Sequence, residues 1–489
     1  MKSQEILNVF KEILTIPRES GNEAQIIAYL QNFAKKHSLE CKTDKAGNVL
    51  IIREASKGKE NVPTIVLQSH SDMVCEKNAG VEHDFTKDPI IAVEENGWLI
   101  AKDTTLGADC GIGVAAQLVA LTDKSISTGR IEALFTVSEE TGLDGAMALQ
   151  PDFITGKTLI NLDSEDEGEL FIGCAGGLDT TAKLKYTTYP ATKDFVKCEF
   201  KIFGAQGGHS GDDIEKNRAN ANKILARFLY RVLAKHDIEL YEIDGGNKRN
   251  AIAREAYAVI GFAKREEKSI LKIFRQVVEE VKEEFVISDP AVDGIAREVG
   301  IHDINSNKYI GVPKKAIDKT VAASLIYALN CAPHGVLAMS NDVKGLVETS
   351  TNLASIKMIK GNILRIGTSQ RSAIASCRKY AAEQVEACFE LAGAVVTHES
   401  EYPGWKPNVN SKILEVSKAA YKTLFGVDPV VRAIHAGLEC GLFLDKFPGL
   451  DMISFGPTLR GVHAPGERLD LASLDKFTEL LKYILVNFK

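Results

Sequence analysis

Several features that mark common protein classes are missing from this sequence. Its nine cysteines are scattered, odd in number and nowhere spaced as a CxxC pair, which fits reduced thiols better than a disulfide framework or a thiolate zinc site. The amino terminus has no apolar core of the kind found in a signal peptide. Apolar runs such as residues 112–121 fall short of the ~18 residues that a membrane span requires. We therefore expect a cytoplasmic protein with no membrane partner.

An excess of basic charge is missing as well. The 489 residues include 59 Lys and Arg against 66 Asp and Glu, a formal net charge of −7, which argues against a nucleic-acid partner. The sequence contains neither the G-x-S-x-G elbow of serine hydrolases nor the G-x-x-x-x-G-K-[ST] loop of nucleotide hydrolases. With 45% hydrophobic and 26% charged residues, the chain has the composition of a folded globular protein. Its function has to be inferred from local motifs.

Hydrophobic patterning predicts an α/β protein. Strands rich in Val, Ile and Leu at residues 48–53, 63–68, 130–137 and 158–162 alternate with helical segments, which is typical of a mostly parallel sheet with flanking helices. After residue 177 the pattern changes to longer strands and charged helices, with helices predicted at 214–233 and 314–330. From residue 410 the first pattern returns. The sequence therefore predicts an α/β domain in two parts, residues 1–177 and 404–489, interrupted by an inserted α+β domain at residues 178–403.

Histidine and acidic residues follow the predicted strands. Ser69-His70-Ser71-Asp72 comes directly after one strand, Ser138-Glu139-Glu140 after another and Asp163 after a third, while Asp109 lies in a glycine-rich turn that opens a helix. Because ligands of open α/β sheets bind outside the carboxyl ends of the strands, we expect these side chains to converge.

Such a group of side chains has a specific chemical use. Imidazoles and carboxylates can hold two divalent ions about 3.5–4 Å apart, with one carboxylate bridging and a free neighbour acting as general base. Taken singly, each motif has a plainer interpretation, since a loop histidine or a Glu-Glu pair usually faces solvent and Asp109 could cap its helix. Their joint occurrence predicts a metal site.

Together these residues resemble a known family, the co-catalytic dizinc exopeptidases that include glutamate carboxypeptidases, aminoacylases and carnosinases. The likeness is strongest to the branch of bacterial aminoacyl-histidine (Xaa-His) dipeptidases. It is carried by the segments LQSHSDMV (67–74), DTTLGAD (103–109), EETG (139–142), NLDSE (161–165), GGHSG (207–211), AIHAGLECG (433–441) and VHAPGE (462–467). The resemblance implies that residues 1–177 and 404–489 form a catalytic domain of the zinc-exopeptidase type and that residues 178–403 form a lid.

The resemblance also implies a role for individual positions. Asp109 would bridge two divalent ions, His70 and Asp163 would complete one site, and Glu140 and His463 the other. Zinc is the expected metal, with manganese or cobalt able to replace it. Glu139 would be the general base, and Asp72 would orient His70. His209 would be a lid histidine that stabilises the oxyanion.

Substrate recognition is expected to involve four further residues. A dipeptidase must hold a free carboxylate, for which arginine has the best-shaped side chain. Arg371 resembles the family's lid arginine and Asn250 lies in a matching Asn-Ala segment, although Arg371 could instead form a surface salt bridge, just as His209 could be a surface loop histidine. Residues 435–441 depart from the Gly-Gly-Thr type loop of the wider family. His435 and Glu439 in this loop are expected to line the substrate pocket, with their roles left open.

The expected activity is metal-dependent hydrolysis of dipeptides, favouring Xaa-His substrates such as β-alanyl-histidine. One alternative is a broad-specificity dipeptidase or aminoacylase on the same dinuclear site. Another is a binding protein that keeps the fold without the chemistry, but the presence of all five proposed ligands and Glu139 argues against it. Lid domains of this family often pair, so we expect a homodimer.

Overall fold

The computed structural model describes residues 1–299, 302–303, 308–309 and 312–489. Its helices are α1 (Ser3–Ile13), α2 (Ala24–Lys36), α3 (Ala108–Thr122), α4 (Glu139–Gly142), α5 (Asp144–Ala148), α6 (Ala221–Leu233), α7 (Glu267–Glu284), α8 (Lys319–Cys331), α9 (Ala375–Glu390), α10 (Lys412–Phe425), α11 (Glu439–Lys446) and α12 (Leu471–Asn487). Within the described ranges, every helix is too short or too polar to cross a lipid bilayer.

The strands complete the chain order. They are β1 (Glu40–Thr43), β2 (Val49–Arg53), β3 (Ile65–His70), β4 (Val93–Glu95), β5 (Trp98–Ile100), β6 (Ile131–Thr136), β7 (Thr158–Asn161), β8 (Glu169–Cys174), β9 (Gly176–Lys185), β10 (Thr188–Pro190), β11 (Phe195–Phe203), β12 (Glu239–Gly245), β13 (Ala256–Ala263), β14 (Asp293–Glu298), β15 (His302–Asp303), β16 (Lys308–Tyr309), β17 (Lys315–Ile317), β18 (Gly335–Met339), β19 (Val347–Ile359), β20 (Ile363–Ser372), β21 (Val395–Tyr402), β22 (Val430–Ile434), β23 (Asp451–Ser454), β24 (Leu459–Arg460) and β25 (Arg468–Asp470).

The chain divides into two compact units. Unit 1 comprises Met1–Cys174, Trp405–Ala433 and Leu438–Lys489, and unit 2 comprises Ala175–Gly404 and Ile434–Gly437. The short segment Ile434–Gly437 thus belongs to unit 2, which the sequence pattern did not predict. The division of function between a catalytic domain and a lid stays a prediction.

Unit 1 is built on a sheet with the strand order β1-β2-β6-β3-β7-β23-β8-β22. The four central strands β6, β3, β7 and β23 run parallel to one another, while β2 joins β6 antiparallel and β8 joins β23 antiparallel. Strands β3 and β6 are buried along their whole length, as expected of strands that are covered on both faces. The predicted fold class, an α/β sheet with flanking helices, is confirmed, and its parallel part lies at the centre of the sheet.

Helix α3 is tied to the two strands that lead into the predicted metal site. The helix is buried along nearly its whole length, and its Gln117 side chain donates hydrogen bonds to the carbonyls of Leu67 in β3 (2.8 Å) and Leu134 in β6 (3.1 Å). A buried amide group that satisfies carbonyls on both strands fixes the helix against them. The start of α3 is thereby held near the ends of β3 and β6.

Unit 2 contains an antiparallel sheet of the order β14-β11-β13-β12-β19-β20-β9-β21, with β18 paired to β19. Its core includes three aromatic rings in mutual contact, mostly edge to face, with centroids 4.6–5.0 Å apart: Phe200 in β11, Phe228 in α6 and Phe274 in α7. An antiparallel sheet packed against helices gives this unit the α+β character that the sequence predicts.

Two helices predicted in unit 2 begin later than expected. The prediction of a helix at 214–233 is wrong in its first part, where a short 3-10 turn covers Ile214–Lys216 and α6 begins only after Asn220, whose side chain accepts from two amides of the first turn. The prediction at 314–330 is wrong in the same way, because residues 315–317 form β17 and Asp318 caps α8. Capping side chains set where these helices begin, although the apolar pattern starts earlier.

Candidate metal centre

Three neighbouring parallel strands of unit 1 deliver the predicted site residues to one edge of the sheet. Strand β3 ends at His70, β6 is followed by Glu139 and Glu140, and β7 is followed by Asp163. Since β3 lies between β6 and β7 and is parallel to both, the carboxyl ends of all three strands meet. The convergence follows from the sheet order and the parallel pairing.

Two further residues reach this edge from other elements of unit 1. Asp109 lies in the first turn of α3, where its backbone is not yet helical. His463 lies in the loop between β24 and β25, and its side chain is 49% exposed. This half-exposed imidazole leaves the centre accessible to solvent, while the side chain of His70 is only 1% exposed.

The carboxylate of Asp109 lies between the two imidazoles. Its Oδ1 is 3.0 Å from Nε2 of His70, and its Oδ2 is 3.1 Å from Nε2 of His463. Nε2 of His70 is also 3.3 Å from Oδ1 of Asp163, and Nε2 of His463 is 3.0 Å from the carboxylate of Glu140. Two groups, each with one imidazole and one further carboxylate, therefore share Asp109.

Burial and mutual repulsion act together on the carboxyl groups of this centre. Burial raises the pKa of Glu139 well above its usual range, and the negative charge of Asp163 raises it further. Burial and the charge of Asp109 raise the pKa of Asp163 to about 6. Burial, with Asp163 again contributing, raises the pKa of Glu439 to about 8. The centre thus holds more negative charge than its protein surroundings stabilise.

The two imidazoles respond in the opposite sense. Hydrogen bonds with Asp109 and Glu140 raise the pKa of His463 to about 11. Burial opposes protonation of His70, but the carboxylates of Asp163 and Asp109 outweigh it and raise the pKa of this imidazole. Both rings lie where a positive charge is strongly favoured.

These features fit bound divalent cations. Imidazole nitrogens and carboxylate oxygens are the donors that zinc and similar ions take in proteins. Oδ1 of Asp163 is buried and has no hydrogen-bond partner among the residues that the structure describes, although it faces Nε2 of His70 at 3.3 Å. A cation between such atoms would satisfy both, so the residues present suit the metal that the donor set implies.

Candidate ligand atoms also cluster in combinations that the sequence-based assignment does not contain. Atoms of His70, Asp109 and Glu140 lie within 4.8 Å of one another, and so do atoms of His70, Cys110 and Asp163. The thiol of Cys110 was not predicted at this centre. It donates to the carbonyl of Leu162 at 3.3 Å, and burial raises its pKa, which favours a neutral thiol.

Asp72 is fully buried beneath the centre and contacts three of its residues. Its Oδ1 lies 3.3 Å from Nδ1 of His70 and accepts from the backbone amide of Glu139 at 3.1 Å. Its Oδ2 accepts from the hydroxyl of Ser20 at 2.7 Å and from the backbone amide of Glu140 at 3.2 Å. One carboxylate thus orients both the histidine at the end of β3 and the Glu-Glu pair after β6.

Glu439 lies in unit 1, at the start of α11. Its Oε2 accepts from Nε2 of Gln68 at 2.6 Å and from the hydroxyl of Thr136 at 2.8 Å. Its Oε1 is buried and has no hydrogen-bond partner in the described part of the chain. The side chain is 0% exposed, so it sits behind the strand ends and does not face the open side of the centre.

The other predicted residues lie in unit 2, around the loop that follows residue 207. His209 holds this loop through its Nδ1, which accepts from the amides of residues 211 and 212 at 3.3 and 3.2 Å. The carbonyl of Asn250 accepts from the amide of Ser210 at 2.8 Å, while the Asn250 side chain is exposed. The structure therefore brings His209 and Asn250 together at one loop.

Arg371 and His435 belong to the same unit. Arg371 is 7% exposed and donates to the hydroxyls of Ser210 at 3.4 Å and Tyr402 at 2.9 Å. Within the described residues it forms no ion pair, so the alternative of a surface salt bridge is wrong. Nε2 of His435 pairs with the hydroxyl of Ser350 at 2.7 Å, and burial together with the charge of Arg371 lowers the pKa of His435 to about 3.

Besides Cys110, three residues of unit 1 that lie close to the centre were not predicted. Glu165 and Glu467 lie inside two of the motif segments, but nothing in the sequence distinguishes them from other surface acids. Burial and the charges of Asp109 and Asp163 raise the pKa of Glu165 to about 8. Arg18, which is 2% exposed, follows Pro17 far from any motif and has no sequence cue at all.

Comparisons with known proteins show which chains this one is similar to. The family model described as peptidase family M20/M25/M40 matches residues 66–487. The cytosol non-specific dipeptidase of Escherichia coli is 37% identical over 492 residues, which cover 99% of this chain and 98% of that protein. The crystal structure of aminoacylhistidine dipeptidase from Vibrio alginolyticus has a TM-score of 0.91 and 36% identity, covering 99% of this chain and 96% of that one. An aminopeptidase from Bacillus cereus, at 18% identity and a TM-score of 0.58, shares the fold.

Proposed function

Since the chain belongs to the peptidase family M20/M25/M40 and is a hydrolase of peptide bonds, we propose that it is a dinuclear metallodipeptidase. Its substrates are dipeptides, with a preference for Xaa-His that includes β-alanyl-histidine. The 36% identity to the Vibrio aminoacylhistidine dipeptidase over nearly the whole chain supports this preference. The name of the Escherichia coli relative, a non-specific dipeptidase, favours the second candidate, a dipeptidase of broad specificity.

One observation carries the proposal. Asp109 directs one carboxylate oxygen to each of two imidazoles, and each imidazole has a further carboxylate beside it. This arrangement is what a bridging carboxylate in a two-ion site requires. We propose that two ions would share Asp109 as a ligand, that His70 and Asp163 would hold one of them, and that Glu140 and His463 would hold the other. Zinc is the proposed metal, and manganese or cobalt could take its place.

The protein groups around the centre have separate tasks in this mechanism. When bound, two divalent ions lower the pKa of a water molecule and polarise a peptide carbonyl. Glu139 takes up the proton of the attacking water at its carboxylate and later passes it to the leaving amine. Asp72 holds His70 through Nδ1 and fixes the backbone of Glu139. Asp72 also accepts from the amide of Glu140, so one carboxylate holds the backbone of both the proposed base and the neighbouring proposed ligand.

For the predicted residues of unit 2, and for Glu439 of unit 1, we propose the roles that the family resemblance implies. His209 stabilises the oxyanion, and Arg371 with Asn250 holds the substrate carboxylate, while His435 and Glu439 shape the substrate pocket. The partners of Arg371 are hydroxyl groups, so its buried positive charge has capacity to bind an anion. The complete burial of Glu439 favours an indirect role for that residue.

The setting of the enzyme is proposed on similar grounds. The name of the Escherichia coli relative places that protein in the cytosol, and we propose the cytoplasm for this chain. We also propose a homodimer, which sedimentation or light scattering can test.

A substrate panel with two treatments tests the proposed function. The panel contains β-alanyl-histidine, other Xaa-His dipeptides, dipeptides without histidine and N-acetyl amino acids. We expect Xaa-His dipeptides to be cleaved fastest, activity to disappear with a chelator and return with zinc, and Glu139→Gln to lower kcat by about 10²–10⁴-fold while keeping its metal. Activity that survives the chelator would refute the metal mechanism. Equal turnover of all dipeptides would establish the broad specificity instead.

A further inference from the structure

Two oppositely charged side chains of unit 1 are buried next to the turn that leads into Asp109. Arg18 is 2% exposed and Glu467 is 1% exposed. Charged side chains are seldom buried to this extent, because the loss of hydration is unfavourable unless hydrogen bonds and opposite charge replace it. The partners that replace hydration here show what the two residues hold in place.

Glu467 accepts hydrogen bonds from four consecutive backbone amides. Its Oε2 accepts from Leu106 and Gly107 at 2.7 and 2.8 Å, and its Oε1 accepts from Ala108 and Asp109 at 2.8 and 3.4 Å. The last amide belongs to the proposed bridging ligand. Glu467 also lies four residues after His463, so its carboxylate connects the loop of one proposed ligand to the backbone of another.

Arg18 holds the same turn through its carbonyl groups. Its guanidinium donates to the carbonyls of Ser71 at 3.2 Å and Asp72 at 2.7 Å, and a further nitrogen donates to the carbonyl of Gly107. The two carbonyls at 71 and 72 directly follow His70 in the chain. Arg18 therefore connects the end of β3 with the turn before Asp109.

The turn itself is shaped to lie against these charges. Gly107 has φ +69°, and a Cβ atom at this position would lie 2.5 Å from Nη2 of Arg18 and 2.7 Å from Sδ of Met73. A side chain at residue 107 would thus have an unfavourable backbone conformation and would displace the guanidinium. Glycine allows the turn to pack directly against Arg18, while the amides of the turn donate hydrogen bonds to the carboxylate of Glu467.

We propose that Arg18 and Glu467 are positioning residues that hold the segments of His70, Asp109 and His463 at metal-binding distance. The inference rests on the proposed function, because it assigns these two residues to the metal centre. They touch neither substrate nor metal, and act by fixing the backbone of the ligands. When residues that orient metal ligands without binding the metal are substituted, metal affinity commonly falls by about 10–100-fold.

The test compares Glu467→Gln with a matched variant, Glu132→Gln. Glu132 is also fully buried in unit 1 and accepts from the backbone amides of Thr155 at 2.8 Å and Gly156 at 3.0 Å, but it contacts none of the proposed ligands. Both substitutions turn an acceptor oxygen into a donor facing backbone amides. Zinc affinity is measured by competition with a chromophoric chelator, and the visible spectrum of the cobalt-loaded protein reports ligand geometry.

We expect Glu467→Gln to bind zinc about 10–100-fold more weakly and to change the cobalt spectrum, while Glu132→Gln stays within about twofold of the wild type in both measurements. Wild-type affinity and spectrum in Glu467→Gln would overturn the inference. Equal losses in both variants would also overturn it, because they would reflect general destabilisation. If Glu467→Gln does not fold, Arg18→Lys is measured in the same way, since lysine keeps the charge but lacks the planar fork of donors. A wild-type protein that binds no zinc would instead refute the proposed function.

Discussion

Replacing Asp72 by Asn is the sharpest test of how the centre is organised. The side chain is fully buried, and its two oxygens contact Nδ1 of His70, the hydroxyl of Ser20 and the amides of Glu139 and Glu140. Burial opposes its ionisation, but the contacts with His70 and Ser20 outweigh this and lower the pKa of Asp72 to about 2. The group is therefore an anion at neutral pH, and Asn removes both its charge and one acceptor.

The size of the effect follows from the contacts. In either orientation of the Asn side chain, its amino group faces the backbone amide of Glu139 or of Glu140, so at least one buried donor loses its acceptor. Such a loss costs about 1–3 kcal/mol. This range corresponds to about a 5–150-fold change in an equilibrium constant, which agrees with the effect of outer groups on metal affinity, about 10–100-fold. We also expect kcat at saturating zinc to fall by about 100-fold, because a small displacement of Glu139, the proposed base, is enough for such a loss.

The assay separates binding from catalysis. Zinc affinity is measured by chelator competition, and kcat for an Xaa-His dipeptide is measured at saturating zinc. Ser20→Ala is the control, since it removes one hydrogen bond to Asp72 and leaves the carboxylate in place. We expect it to weaken the binding free energy of zinc by about 1 kcal/mol or less. The reasoning would be refuted if Asp72→Asn kept both zinc affinity and kcat within about twofold of the wild type. The reasoning would also be refuted if Ser20→Ala lowered zinc affinity and kcat as much as Asp72→Asn does.

Three further predictions concern other residues. Arg371→Lys should raise KM for dipeptides by about tenfold or more with a smaller effect on kcat, because lysine cannot hold a carboxylate bidentately; steady-state kinetics with unchanged KM would contradict this. Burial and the charge of Arg371 lower the pKa of His435 from 6.5 to about 3. As the pH falls below 6.5, the unfolded chain therefore takes up a proton at this residue while the folded chain does not. The free energy of unfolding should then fall by up to about 1.4 kcal/mol per pH unit. Urea unfolding between pH 7 and pH 5 should show a flatter dependence for His435→Gln. Asp163→Asn should stabilise the metal-free protein at pH 7 by up to about 3 kcal/mol, because burial and Asp109 raise the pKa of Asp163 from 3.8 to about 6 and its ionised form is disfavoured in the fold. The same change should destabilise the zinc-loaded protein. The unfolding temperatures of both forms are the measurement, and a shift in the same direction for the metal-free and the zinc-loaded protein would count against Asp163 as a ligand.

The part of the centre that sequence patterns predict is the part that depends on sheet geometry. His70, Glu139 and Asp163 follow apolar strands, and the rule that parallel strands end at one edge brings them together without further information. Asp109 and His463 come from a helix start and a loop, so no periodicity relates them to that edge. Asp109 was grouped with the strand ends as an acidic residue at the start of a helix, but its bridging role and the whole assignment of His463 rested on resemblance to a family.

Hydrogen bonds to the backbone account for much of what the sequence could not predict. Glu467 and Arg18 act on main-chain amides and carbonyls, and any turn offers these groups whatever its side chains, so no motif records the contact. The start of α6 shows the same limit. Apolar residues continue the helical pattern back to Ile214, but the side chain of Asn220 satisfies the first amides and fixes where the helix begins.

The charges of the centre explain why these backbone contacts are needed. Burial and mutual repulsion raise the pKa of Glu139, Asp163, Glu165 and Glu439, so each of these groups makes the fold less stable when it is ionised. Ionisable groups perturbed in one direction by burial and by each other are characteristic of functional sites. The two divalent ions of the proposed centre would carry a combined charge of about +4 and would reverse the local electrostatics. Without a rigid backbone the carboxylates would relieve their repulsion by moving apart, and the ligand set would be lost before a metal could bind. The buried contacts of Asp72 oppose that relaxation at the ends of β3 and β6.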